Sequence, residues 1–359
     1  MTRRFSRRSF LGLTSGAFGS VLLSACSAGQ GGSANQSAAK QGISSSGIDY
    51  KVLVNWEHKL PDGWEANINL VEERSLLYDE PVRTERKAYE AWRKLKEGLA
   101  QEGVYVELDS CYRSVADQQD IWDEFTKKYG EEYVKSHVGV PGYSEHHTGL
   151  ALDLFLVIDG RQVYENEEMV RHPEVWEKVH AKLADHGFIL RYLPRKAMFT
   201  HASYEPWHIR YLDDPAVARQ IVAAGQTYEE YLGAVNPAEA GCAVDYGSSK
   251  IFSDADIDLA LYEVLAEFET WKGCVMKRFA FAGDDACGAE ELAYVNGLRK
   301  EGMAEFGQAI VLVTDFRSPS ADQSAGTAWN PDTDYKDYAW HLGRTDAKGT
   351  WKLMTQGYA

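Results

Sequence analysis

Basic side chains are scarce: 38 lysines and arginines stand against 54 aspartates and glutamates in 359 residues, a formal net charge of −16. Such a chain offers no general basic field, which excludes nucleic acid as a partner and gives an anionic membrane surface nothing to attract. Long apolar runs are missing too. The stretch from Phe10 to Leu23 is short and rich in Gly and Ser, which argues against a transmembrane span. Cysteine is sparse, with five residues, and none keeps the company that a zinc cluster shows. Residues 27–49 have almost no large apolar side chains, so they cannot offset the entropy of ordering and are expected to form a flexible tether.

What is present at the N-terminus reads as an export signal over residues 1–25: Arg3, Arg4, Arg7 and Arg8, an apolar stretch, then small residues before Cys26. Ser6-Arg7-Arg8-Ser9-Phe10-Leu11 resembles a twin-arginine signal. Leu23-Ser24-Ala25-Cys26 resembles a lipobox, whose cysteine is lipidated after cleavage. The expectation is an exported bacterial lipoprotein whose only hold on the membrane is the lipid at Cys26. Loss of the four arginines takes the formal charge from −16 to −20. Outside the cytoplasm Cys111, Cys242, Cys274 and Cys287 are free to pair, and the close spacing of Cys274 and Cys287 makes them the expected pair. A monomer is expected.

The length suits two packed units. The first runs from Tyr50 to about Gly233, a Gly/Ala/Ser-rich linker covers 234–249, and a smaller unit covers 250–359. Ala88, Trp92, Leu95 and Leu99 recur at helical spacing, as do Ile121, Trp122, Phe125 and Tyr129. A third helix opens at Pro173, continues through Trp176, Val179 and Leu183, and stops at Gly187. Leu150 to Ile158 alternates like a strand, and Asp159-Gly160 signals a hairpin into Arg161 to Tyr164. The second unit shows a helix with Ile257, Leu261, Val264, Phe268 and Trp271 on one face, a strand from Ala309 to Phe316, and a terminal hairpin around Asp346 to Gly349. The fold class predicted is α+β for both units. The second unit shows no convergent cluster of His or carboxylates, with His341 alone among aromatic neighbours, so the expected role of that unit is binding, spacing or packing.

The stretch Ser144-Glu145-His146-His147-Thr148-Gly149-Leu150-Ala151-Leu152-Asp153 carries the chemistry. An imidazole on the approach to a strand and a carboxylate within it can converge on one metal, with Gly149 and Ala151 leaving room near the backbone. Some fifty residues on, Glu205-Pro206-Trp207-His208 supplies a second imidazole with a carboxylate three positions earlier. Two His and one Asp leave one position open for water, the arrangement of a catalytic zinc site.

The pattern S-x-H-x-x-G-x-A-x-D followed by E-x-W-H resembles the VanY-type D-Ala-D-Ala carboxypeptidases, zinc peptidases that share a fold with the hedgehog signalling domain. The likeness runs from about Tyr50 to Gly233 and includes Tyr112-Arg113-Ser114, Gln118 and Gly187-Phe188-Ile189-Leu190-Arg191-Tyr192. The resemblance implies a central, mostly antiparallel sheet with flanking helices, and one zinc ion held by His146, Asp153 and His208. It further implies Glu205 as proton carrier, Arg113 as the cation facing the oxyanion or the substrate carboxylate, and His147 as a bystander. Arg191 is open between a substrate contact and a structural salt bridge. Ser144 and Gln118 are expected on the substrate backbone, with bracing of the metal loop as the alternative. Cys111 departs from the family's usual glycine and bears on the local turn. The implied activity is removal of the terminal D-Ala from peptidoglycan stem peptides, with an L,D-carboxypeptidase acting on tetrapeptide stems or a non-catalytic wall-binding lipoprotein as alternatives.

Overall fold

The computed structural model describes residues 47–131, 134, 138–323, 329–347 and 349–358; the signal-like segment, Cys26 and most of the tether lie outside them. Strands β1 (Leu70–Glu73) and β2 (Val82–Glu85) pair as an antiparallel ribbon. Helix α1 (Arg86–Gln101) follows at once, because the Glu85 carboxylate accepts from the N–H groups of Lys87 and Ala88 and caps it. Its Ala88, Trp92, Leu95 and Leu99 are all buried, as their spacing requires. Strand β3 (Tyr105–Leu108) leads to helix α2 (Val115–Tyr129), which Ser114 caps by accepting from the Asp117 N–H. Only Ile121 and Gln118 are buried on α2, and Tyr129, placed on the inner stripe by the sequence, is 47% exposed.

Strands β4 (Ala151–Ile158) and β5 (Arg161–Val163) form the expected hairpin, with Asp159 and Gly160 both at positive φ, 51° and 76°. Helix α3 (Pro173–Leu183) starts on Pro173 and is followed by a short 3₁₀ turn and the left-handed Gly187. Strands β6 (Phe188–Leu190) and β7 (His208–Tyr211) complete an antiparallel sheet of order β3-β4-β7-β6, with β5 alongside β4. The apolar faces of α1 and α3 share one core with Leu152, Leu154, Leu156, Phe188 and Ile209. Each such buried aliphatic or aromatic side chain contributes roughly 1.5–3 kcal/mol, so the sheet is a stiff platform for the residues on its other positions.

The second sheet has the order β12-β11-β10-β9-β8. It comprises β8 (Ala243–Asp245), β9 (Val275–Phe281), β10 (Gln308–Arg317), β11 (Asp334–Arg344) and β12 (Lys352–Gly357), covered by helix α4 (Asp254–Phe268). Only the β8–β9 pair is parallel. Three readings change here. Residues 243–245, inside the stretch read as linker, form β8, and Cys242 and Tyr246 are buried in the second core. Trp271 lies beyond the end of α4, stacked on Trp340 at 5.0 Å. Cys274 and Cys287 are not paired: all four described cysteines are free and buried. Cys274 immediately precedes β9 and Cys287 follows it, so seven extended residues at about 3.3 Å each hold them apart.

Candidate metal centre

The ligands are set by strand register. Asp153 on β4 lies directly opposite His208 on β7, a pairing that puts Cβ atoms about 4.5–5.5 Å apart. His146 arrives from the 3₁₀ turn Glu145–Thr148, capped by Ser144 Oγ and ended by Gly149 at φ 69°. A Cβ on Gly149 would meet Ile68 Cδ1 at 2.5 Å, so the turn needs glycine for both its φ and its space. The Cys111 carbonyl accepts from His146 Nδ1 at 2.6 Å, leaving Nε2 to face Asp153 Oδ2 at 3.3 Å. Cys111 is not at positive φ, so a side chain fits where the family resemblance expects glycine.

On the other side His208 Nδ1 stands 3.1 Å from Asp153 Oδ1 and 3.5 Å from Glu205 Oε2, while its Nε2 lies 3.4 Å from Glu145 Oε2. Each imidazole thus has one nitrogen held by the protein and one turned inward, the arrangement by which outer groups orient metal-binding histidines. One donor atom each from His146, Asp153 and His208 falls within 4.8 Å of the others.

The residues fit a cation. Asp153 Oδ1 is buried and makes no hydrogen bond of good geometry despite its closeness to His208. Burial alone would lower the His208 imidazole, but Asp153, Glu145 and Glu205 outweigh it and push it up to about 10. Burial, opposed by His208 and reinforced by Asp153, moves the Glu205 carboxyl well above the usual carboxylate range. Asp153 and Glu205 both press on the His208 imidazole, a field that a cation relieves, and two imidazoles with one carboxylate form a donor set suited to zinc.

The other expected site residues divide. Arg113 is brought to the site's edge, since its N–H donates to the His146 carbonyl and Asp153 acts on its guanidinium. Gln118 is turned to protein groups: its Oε1 accepts from Arg113 Nη1 at 2.6 Å and its Nε2 donates to the Gly139 carbonyl, and it is fully buried. It positions Arg113. Ser144 Oγ accepts from the His146 N–H at 3.4 Å, which braces the metal loop. Arg191 is a structural salt bridge, fully buried with Nε on Glu145 at 2.8 Å and both terminal nitrogens on Glu229. Its guanidinium is thus committed to two buried carboxylates. His147 is a brace as well: Nδ1 donates to the Arg113 carbonyl and Nε2 accepts from the Gly142 N–H, with burial pushing its imidazole down to about 4.

Two residues of this centre, although they lie within the quoted motifs, are given no role by the sequence reading. Glu145 is buried between Arg191 and Arg210 and touches His208 from behind. Burial would raise its carboxyl, but the two guanidiniums prevail and hold it well below the usual range. Tyr192 packs its ring 4.8 Å from that of His208.

Fold and ligand set together define a metallopeptidase-type centre on an antiparallel sheet. The family model for the VanY D-alanyl-D-alanine carboxypeptidases matches residues 82–214. The chain is 32% identical over 157 residues to the bifunctional D-Ala-D-Ala dipeptidase and D-Ala-D-Ala carboxypeptidase VanXYC of Enterococcus gallinarum, covering 43% of this chain and 79% of that one. It is 31% identical over 183 residues to the putative carboxypeptidase YodJ of Bacillus subtilis, covering 50% of this chain and 66% of YodJ. A solved structure of the LdcB LD-carboxypeptidase is similar at 28% identity and a TM-score of 0.46, covering 55% of this chain and 97% of that one. The chain belongs to the VanY D-alanyl-D-alanine carboxypeptidase family.

Proposed function

We propose that this protein is a zinc-dependent carboxypeptidase that removes the C-terminal D-Ala from peptidoglycan stem peptides. The observation that carries the reading is the inward convergence of His146, Asp153 and His208 with the Glu205 carboxylate 3.5 Å from His208 Nδ1. A zinc ion held by the three supplies Lewis acidity, lowering the pKa of water to about 7 and polarising a peptide carbonyl. Glu205 takes the proton from the attacking water and returns it to the leaving amine. Arg113, held in place by Gln118 and by Ser110 Oγ at 3.3 Å, presents positive charge to the oxyanion or to the free carboxylate of the substrate. The twin-arginine-like and lipobox-like residues support export and anchoring through Cys26 as part of the same reading.

Defined penta- and tetrapeptide stems, each assayed with and without chelator, test this. D-Ala release from the pentapeptide, lost with chelator and restored by zinc, is expected. Release from the tetrapeptide alone would replace the D,D reading by the L,D one, and a zinc-loaded protein that binds peptidoglycan but turns over no stem would favour a wall-binding protein.

The segment after Gly233 bears on the same assay. Every matched catalytic residue precedes it, which on sequence alone makes the second unit dispensable for small peptides. The structure alters that expectation, because Ala197, Met198 and Phe199, just ahead of the loop to Glu205, are buried in the second core. Ser203 Oγ also lies 3.3 Å from Tyr262 Oη. A chain ending near Ala234 would bare these side chains, so a lower unfolding temperature and reduced pentapeptide turnover are expected. Unchanged values in both would show that the first unit stands alone.

A further inference from the structure

A second set of metal-type donors lies where the two sheets' units meet. Among the described residues, two groups of three His, Cys, Asp or Glu side chains bring one ligand atom each within 4.8 Å of the others. One is the centre above; the other is His201, Glu239 and Glu269. These come from three separate places. His201 caps the helical turn Ala197–Thr200, Glu239 sits in a turn closed by its N–H on the Asn236 carbonyl, and Glu269 caps the C-terminus of α4.

The spacing matches a shared ion. His201 Nε2 is hydrogen-bonded to Glu239 Oε2 at 3.2 Å, a separation like the 3.1 and 3.3 Å of the imidazole–carboxylate pairs of the first centre and one that an ion can take over. Two ligands about 2.1 Å from one tetrahedral ion lie about 3.4 Å apart. The imidazole is also held in place: the Trp56 ring stacks on it at 3.9 Å, and the His201 backbone is kept at φ 50°, an uncommon conformation for a side-chain-bearing residue.

Charge supplies the second argument. Glu239 is 1% exposed and His201 5%. Glu57 joins the same field, with burial and the charge of Glu239 raising both Glu57 and Glu269 against the pull of His201. Among the described residues neither a lysine nor an arginine forms an ion pair with Glu57, Glu239 or Glu269, so one imidazole faces three carboxylates. Glu269 has in addition the negative end of the α4 dipole beside it. The His201–Glu239 pair is buried while Glu57 and Glu269 are exposed at its rim, and a cation shared between Glu239 and Glu269 relieves the negative charge crowded against the buried carboxylate.

We propose that His201, Glu239 and Glu269 form a second cation site, for a divalent ion of the zinc or manganese kind, which ties the loop leading to Glu205 to the C-terminal unit. One imidazole with two carboxylates suits those ions better than an all-oxygen calcium cage. The full chain, stripped with chelator and re-equilibrated with zinc chloride or manganese chloride, provides the test through bound metal per chain and thermal unfolding. Two equivalents are expected in the wild type, and one in Glu239→Gln, which keeps the shape of a buried side chain, and in Glu269→Gln, whose exposed position spares the fold. Asp153→Asn should lose the first equivalent and keep the second, and added metal should raise its Tm but not that of Asp153→Asn combined with Glu269→Gln. A single equivalent that disappears in Asp153→Asn and persists in both Glu→Gln variants would overturn this site and spare the catalytic one. A single equivalent that persists in Asp153→Asn and disappears in Glu269→Gln would do the reverse, and two equivalents unchanged by either Glu→Gln variant would place the extra ion elsewhere.

Discussion

Glu205→Gln is expected to keep its zinc and lose turnover on stem peptides by about 10²–10⁴-fold, the usual contribution of a positioned proton carrier. The amide preserves the size of the side chain and can still hydrogen-bond a water, but it cannot take up a proton. Glu205 is 4% exposed and its carboxylate lies beside His208, outside the three-donor set. Metal content should therefore be indifferent to the change. His208→Ala is the contrasting variant. It removes one of three donors, and with it the imidazole opposite Asp153, so zinc should be lost or bound far more weakly along with activity. Metal analysis and pentapeptide hydrolysis on both variants separate the roles. A Glu205→Gln protein that lost its metal, or that hydrolysed substrate at a near wild-type rate, would remove Glu205 from the proton-carrying role.

The part of this centre legible in the sequence is the part encoded locally. Ser144, His146, Gly149 and Asp153 fall in one 3₁₀ turn and the strand after it, so their spacing is fixed by backbone geometry and can be matched as a pattern. Glu205 and His208 fall in the short turn that opens β7, for the same reason. Helix α1 is legible because its four apolar residues have one face to bury, and the β4–β5 hairpin because Asp159-Gly160 suits a turn with two positive φ values. What escapes is encoded across long separations. Arg191 reaches Glu145 across 46 residues and Glu229 across 38, and no local spacing announces either partner. Gln118 looks like a free polar side chain until the fold sets it against Arg113 and Gly139. Cys274 and Cys287 look close only when the strand between them is ignored. Residues 243–245 are short and flanked by Gly and Ala, yet they pair because β9 offers a parallel edge for them.

That long-range network makes Glu145 the residue whose loss should most damage the fold while leaving every metal ligand in place. Its Oε1 accepts from Arg191 Nε at 2.8 Å and from Arg210 Nη1 at 2.9 Å, and its Oε2 lies 3.4 Å from His208 Nε2. All three arms are buried. Arg191 would retain Glu229, itself steadied by Asn55 Nδ2 at 3.0 Å. Arg210 would retain only the carbonyls of Tyr50, Val52 and Tyr211, leaving a buried guanidinium with no carboxylate in contact. Removing one partner of a buried ion pair costs about 3–5 kcal/mol, against a total stability of about 5–15 kcal/mol for a typical domain. Glu145→Ala should therefore lower the urea midpoint sharply, and Tm by roughly 6–20 °C. Glu145→Gln keeps an acceptor oxygen for one arginine and should be less damaging. In both variants His208 loses the carboxylate behind its Nε2, so zinc affinity should fall by about 10–100-fold even in the protein that remains folded. Denaturant unfolding of the metal-free protein measures the first effect and a zinc titration the second. An unaltered urea midpoint in Glu145→Ala would mean that Arg210 finds compensation elsewhere, and an unaltered zinc affinity would mean that β7 alone orients His208.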